Sequence, residues 1–254
     1  MHNVVILGSG RSGTSMTAGV LSRAGYFMGH KVLNQGRINN PFGNYEDQEV
    51  NNVNEQLLGQ VIPQPETIDG VVRHRDRPAE MQRWLGRLPV GTSIGSLPAC
   101  VAKIRELISH EPFCFKDPRF SYTLSVWRPH LTDTVYVCVF RGPHKTAQSI
   151  LKQVEDAPHL RGLEMSFSAA LEVWSLMYRH ILEIHSREGA WLFLHYDQLL
   201  TEAGLNKLSR FTGAPVLRDF PKNDLRREYL PAEVPAEVEK IYAELCHHAD
   251  FRAA

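Results

Sequence analysis

Arg11 stands inside a glycine turn, Gly8-Ser9-Gly10-Arg11-Ser12-Gly13-Thr14-Ser15, directly after the apolar run Asn3–Leu7. Glycines spaced this way between a strand and a helix let backbone N–H groups approach a phosphate, and the helix N-terminus favours its charge. The stretch fits two patterns. Gly8, Gly10 and Gly13 spell the G-x-G-x-x-G of a dinucleotide-binding turn. Gly8 to Gly13 with Thr14-Ser15 also spell a P-loop in which Thr14 replaces the usual lysine. A turn with no ligand would be a poor place for Arg11, because a cation just before a helix N-terminus opposes the dipole unless an anion offsets it.

The dinucleotide pattern requires an acidic residue about 20 positions further on, at the end of a second strand. No Asp or Glu precedes Glu46, and Tyr26–Leu33 makes a poor strand. A nucleoside triphosphatase requires a buried strand that ends in a magnesium-binding aspartate. The clearest inner strand, TVYVCVF, ends instead before Arg141, and Asp117 after FCFK is the only imitation. An atypical P-loop kinase is therefore disfavoured.

Arg141 supplies a second anion-binding element. It closes the strand, and Ser149 follows eight residues later, about two turns into the next helix. A guanidinium and a hydroxyl so placed can grip one phosphate. Carboxyl ends of strands are where open α/β sheets bind ligands. Two anion pockets at one sheet edge suit a nucleotide with a 5′-phosphosulfate and a separate 3′-phosphate.

In these motifs the chain resembles the sulfotransferase family, in its bacterial, cytosolic form, whose donor is 3′-phosphoadenosine 5′-phosphosulfate (PAPS). The family's [KR]-x-G-T-[ST] loop reads Arg11-Ser12-Gly13-Thr14-Ser15 here, and its Arg-x7-Ser element reads Arg141 to Ser149. NPFGNYEDQEV is similar to the family's NP-x-G-x-x-E segment. FKDPRF matches a short central-strand motif, and HYDQLL a segment whose tyrosine, here Tyr196, lies near adenine. The likeness covers residues 3 to 200.

The resemblance implies an in-line sulfuryl transfer that releases adenosine 3′,5′-bisphosphate and needs no metal. Gly10, Arg11, Ser12, Gly13, Thr14 and Ser15 would hold the phosphosulfate, and Arg141 with Ser149 the 3′-phosphate. The family's RKG tail motif is absent, with Arg226 and Arg227 as its substitutes. Glu46, Lys116 and Arg11 form the expected catalytic set. Glu46 is the favoured base, with His30 and Asp117 as rivals, and helix capping remains open for it. Lys116 enters the cleft by family analogy; an ion pair with Asp117 or another carboxylate is the alternative. His144 and His159 read as surface residues. A non-catalytic nucleotide-binding protein of the same fold is the alternative of another class.

The rest of the chain supplies the frame. Short apolar runs alternate with amphipathic stretches, which predicts an α/β fold: a P-loop-like three-layer sandwich around a mostly parallel sheet. Helices are expected over residues 14–25, 49–60, 79–88, 98–110, 143–154, 166–188 and 203–213, the long one at 166–188 carrying a stripe of Leu171, Trp174, Tyr178, Ile181 and Leu182. Residues 59–78 lack periodicity and read as a lid or acceptor-pocket loop; residues 221–254 read as a loop and an exposed helix. All 254 residues read as one domain.

The formal net charge is zero, so no global field favours nucleic acid or an anionic membrane. The four cysteines form no C-x-x-C pair. No run of about 18 apolar residues and no leader-like segment occurs, so a cytoplasmic protein is expected, acting on a small-molecule or glycan acceptor. Acceptor identity and oligomeric state are not written in these motifs.

Overall fold

The computed structural model describes residues 1–33, 43–216, 229 and 231–252. Its centre is a four-stranded sheet made of β1 (Asn3–Leu7), β4 (Cys114–Lys116), β5 (Thr134–Phe140) and β6 (Ala190–His195), in the spatial order β4-β1-β5-β6. All three pairings are parallel, and Val5 of β1 lies opposite Phe115 on one side and Tyr136 on the other. Parallel pairing aims every carboxyl end at the same edge of the sheet. The turn after β1, Lys116, Arg141 and Tyr196 therefore reach a common edge.

The period of two along a strand divides the core. Val4 and Ile6 face one side, where they join Leu192, Leu194 and the apolar faces of α1 (Thr14–Ser22) and α7 (Glu202–Thr212). Val5 and Leu7 face the other, against α2 (Gln48–Gly59), α3 (Pro98–Leu107), α4 (Phe120–Trp127), α5 (Pro143–Asp156) and α6 (Phe167–Glu183). Both faces are covered, as a parallel sheet requires. Three layers result, in agreement with the sequence.

Three segments depart from expectation. Residues 79–88 do not form a helix; only Arg83–Leu85 makes one 3-10 turn, and Met81 adopts a left-handed φ of 65°. The backbone amides there are captured from outside: Met81 N–H donates to Glu55 Oε2 at 2.9 Å and Arg83 N–H to Glu55 Oε1 at 3.0 Å. Within residues 59–78, β2 (Glu66–Ile68) and β3 (Val71–Arg73) pair as an exposed hairpin. Its turn residues, Asp69 and Gly70, have φ of 51° and 75°, the two positive values that a two-residue turn of type I′ needs. The Asp-Gly pair was the signal. The last helix, α8 (Ala236–His248), is not simply exposed, since Val238, Leu245 and Cys246 are buried in the main core.

All four cysteines are free and buried. No described helix is long and apolar enough to cross a membrane.

Candidate functional site

The turn after β1 sets the first wall of the site. Arg11 has a left-handed φ of 70°, a conformation that costs a non-glycine residue about 1–2 kcal/mol. Its guanidinium reaches across to α5, where Nε donates to Ser149 Oγ at 3.2 Å. Gly13 follows at φ 101° and caps α1, whose N-terminus no side chain caps and whose first turn carries no acid. A Cβ on Gly13 would lie 2.8 Å from the Tyr196 ring, so this tyrosine packs directly on the turn. Thr14 and Ser15 occupy the first helical positions, with Ser12 buried beneath them.

Arg141 is 8% exposed and stacks over the rings of Tyr196, at 4.5 Å, and Tyr229, at 4.9 Å. No carboxylate among the described residues is paired with it. The sequence implied two separate anion elements. The fold makes them adjoin, through the Arg11–Ser149 bond and through Tyr196, which touches both Gly13 and Arg141.

The other wall comes from β4 and the start of α2. Lys116 is almost wholly buried; its Nζ donates to Ser15 Oγ at 3.2 Å and forms an ion pair with Glu46 Oε1. Glu46 keeps 15% of its side chain exposed and also accepts from Asn51 Nδ2 at 3.0 Å. Burial pushes the Glu46 carboxyl up, but Lys116, Arg119 and the Asn51 amide outweigh it and hold the group below the ordinary carboxylate range. The helix-cap reading of Glu46 falls to its neighbour. Asp47 is the cap of α2, with Oδ1 accepting from the amides of Glu49 at 2.8 Å and Val50 at 3.0 Å.

These walls enclose a cleft of about 290 Å³, lined by Gly10, Arg11, Thr14, Ser15, Glu46 and Lys116 among others. Trp84, Met81, Asn51, Arg119 and Gln153 also line it, and sequence reasoning passed over all five. Asn51 had a legible signal. Asp47, Asn51, Asn54 and Glu55 recur at helical spacing and are all buried, so the polar stripe of α2 faces inward. His159 is exposed yet stands at the mouth of this cleft, whereas His144 is half-buried beside Gly142.

The two rival bases lie elsewhere. Asp117 is fully buried, accepting from Arg119 NH1 at 3.0 Å and Asn54 Nδ2 at 2.9 Å. It belongs to a buried cluster in which Glu55 pairs with Arg119 at 2.6 Å and Arg83 at 2.8 Å. His30 is exposed and packs against Phe27 and His110, outside the cleft lining. Arg226 and Arg227 lie outside the described residues. No group of three or more His, Cys, Asp or Glu among the described residues is arranged to hold a metal ion.

The fold as a whole is that of sulfotransferase domains. The chain is similar to the sulfotransferase domain from the Synechococcus PCC 7002 olefin synthase, with TM-score 0.51 and 15% identity over 96% of this chain and 94% of that one. It is also similar to the sulfotransferase domain from the curacin biosynthetic pathway, with TM-score 0.55 and 14% identity over 100% and 99%. At such identities the likeness lies in the fold. No protein-family model and no curated protein matches the sequence.

Proposed function

We propose that this protein is a sulfotransferase that moves a sulfuryl group from PAPS to a hydroxyl or amine of a small-molecule or glycan acceptor. The observation that supports this most is the junction of the two anion elements. A donor with phosphates at its 5′ and 3′ positions needs a cation at each, and the Arg11 turn with the adjoining Arg141–Ser149 element would supply them. In this reading Tyr196, which packs against Gly13 and Arg141 alike, lies near the adenine. The likeness in fold to two sulfotransferase domains is consistent with this chemistry.

In this reading Arg11 and the amides at the start of α1 offset negative charge on the leaving phosphate. Lys116, already bonded to Ser15 of that turn, stands ready to offset charge at the transferring group. Glu46 accepts the proton of the acceptor as its oxygen or nitrogen bonds to sulfur. The bond between sulfur and the bridging oxygen breaks in the same displacement, and adenosine 3′,5′-bisphosphate leaves. This chemistry asks for no metal.

The test is ligand discrimination by thermal unfolding. Adenosine 3′,5′-bisphosphate at a hundredfold excess over its Kd stabilises the folded state by about 2.7 kcal/mol. NAD, or ATP with Mg²⁺, stabilising the protein equally well would remove the proposal.

A further inference from the structure

Gly10 is a glycine for the sake of Trp84. Its φ is not among the positive values that demand glycine, unlike those of Gly8 and Gly13. A Cβ at Gly10 would instead lie 2.6 Å from Cζ3 and 2.7 Å from Cε3 of the Trp84 indole. The indole thus lies directly on the backbone of the phosphate-binding turn, one residue before Arg11, and lines the cleft beside it.

A second set of observations fixes the indole there. Trp84 belongs to the segment that was expected to be a helix and is not. Glu55 takes the amides of Met81 and Arg83, and Arg119 NH2 donates to the Met81 carbonyl at 3.0 Å. Glu55, Arg83 and Arg119 are each at most 5% exposed, and their ion pairs brace this short turn from below. Met81 holds a left-handed φ of 65° within it. Backbone held in a sparsely populated region by surrounding bonds is a feature of functional walls. The segment that carries the indole is thus braced by buried bonds on both sides of Gln82.

Resting on the proposed function, we propose that Trp84 is a water shield for the transferable group, and so a residue that sets specificity for the acceptor over water. Water is the ever-present competing nucleophile for an activated sulfuryl group. Its attack would form a bond from water oxygen to sulfur and break the bond from sulfur to the bridging oxygen. Inorganic sulfate, adenosine 3′,5′-bisphosphate and the two protons of water would result. Closing such a site to solvent prevents this loss. The ring carbons Cζ3 and Cε3 lie on the turn, so the indole covers that side of the cleft with apolar surface.

The experiment needs no knowledge of the acceptor. Radiolabelled PAPS is incubated with protein alone, and released sulfate is counted, while calorimetry measures binding of the bisphosphate to the same preparation. Trp84→Ala is expected to release sulfate about tenfold faster than the unaltered protein, with bisphosphate binding retained. Trp84→Phe, which keeps much of the apolar cover, falls between the two. Retained binding with no faster release would overturn the shield and leave the proposed function standing. Loss of bisphosphate binding in Trp84→Ala and Trp84→Phe alike would overturn it too, because Trp84 would then be part of the donor site. An unaltered protein that takes up no bisphosphate removes the proposed function, and the shield with it.

Discussion

Arg11 Nε donates to Ser149 Oγ across 3.2 Å, although 138 residues separate them in the chain. This bond joins the turn after the first strand to the second turn of α5. The two residues belong to different ends of the proposed donor, so a change at either is felt at both. Arg11 gains a fixed direction from Ser149, which matters because its side chain leaves a strained left-handed backbone.

The pairing leads to a prediction about the 3′-phosphate. Ser149→Ala or Arg141→Ala is expected to weaken adenosine 3′,5′-bisphosphate by about 1.5–3 kcal/mol, the worth of a hydrogen bond to a charged group. Adenosine 5′-phosphosulfate lacks that phosphate and should lose less, most of it through Arg11 in the Ser149 variant. Isothermal titration of both ligands decides the matter, and equal losses would assign Arg141 and Ser149 another task.

Glu55 carries the second prediction. It is 3% exposed and compensates Arg83 and Arg119 together. Glu55→Ala strands the buried Arg83 guanidinium and leaves Arg119 to Asp117 alone, so unfolding in urea should show a loss of about 3–5 kcal/mol. A loss under about 1 kcal/mol, the scale of an exposed pair, would mean that solvent reaches the cluster.

The strands were readable because β1 and β5 are runs of β-branched and aromatic residues, and the turn after β1 because Gly8, Gly10 and Gly13 mark it. Residues 79–88 misled because their local composition suits a helix. The bonds that decide otherwise come from Glu55, on a different element, and no local pattern carries them. Glu46 shows the same limit from the other side. Its position before DQEV fits a cap equally well, and only the placement of Asp47 over the first amides of α2 frees Glu46 for Lys116. Trp84 was hidden for a related reason: its partner, Gly10, lies 74 positions earlier and carries no side chain to hint at it.

The third prediction separates base from bystander. Glu46→Gln keeps the shape of the side chain and its contact with Asn51 but cannot accept a proton. With a true acceptor, turnover should fall by about 10²–10⁴, while bisphosphate affinity changes little. Near-normal turnover at saturating donor would strip Glu46 of the role, and Asp117 and His30 are poorly placed to inherit it, one sealed in the core and the other outside the cleft.

Lys116 supplies the last prediction, through its pairing with Glu46. Two opposed influences act on that carboxyl: burial, the larger single one, raises its pKa, and Lys116 is the foremost of those that lower it. The balance leaves it below the ordinary range. A carboxyl depressed on folding stabilises the protein fully above its unfolded pKa, and that stability is lost as pH falls through the lower folded value. Lys116→Met keeps much of the side-chain volume and removes the cation, which leaves burial less opposed. The Glu46 pKa should then rise, and the acid limb of the kcat/KM profile should move to higher pH with it. Part of the stability at neutral pH should vanish in the same variant, whereas in acid, where Glu46 is protonated in both proteins, the difference should narrow. Stability curves from pH 3 to 8 and a rate profile over the accessible range measure both effects. An acid limb that stays in place while the stability changes would mean that Glu46 titrates as a structural partner of Lys116 and takes no proton from the acceptor.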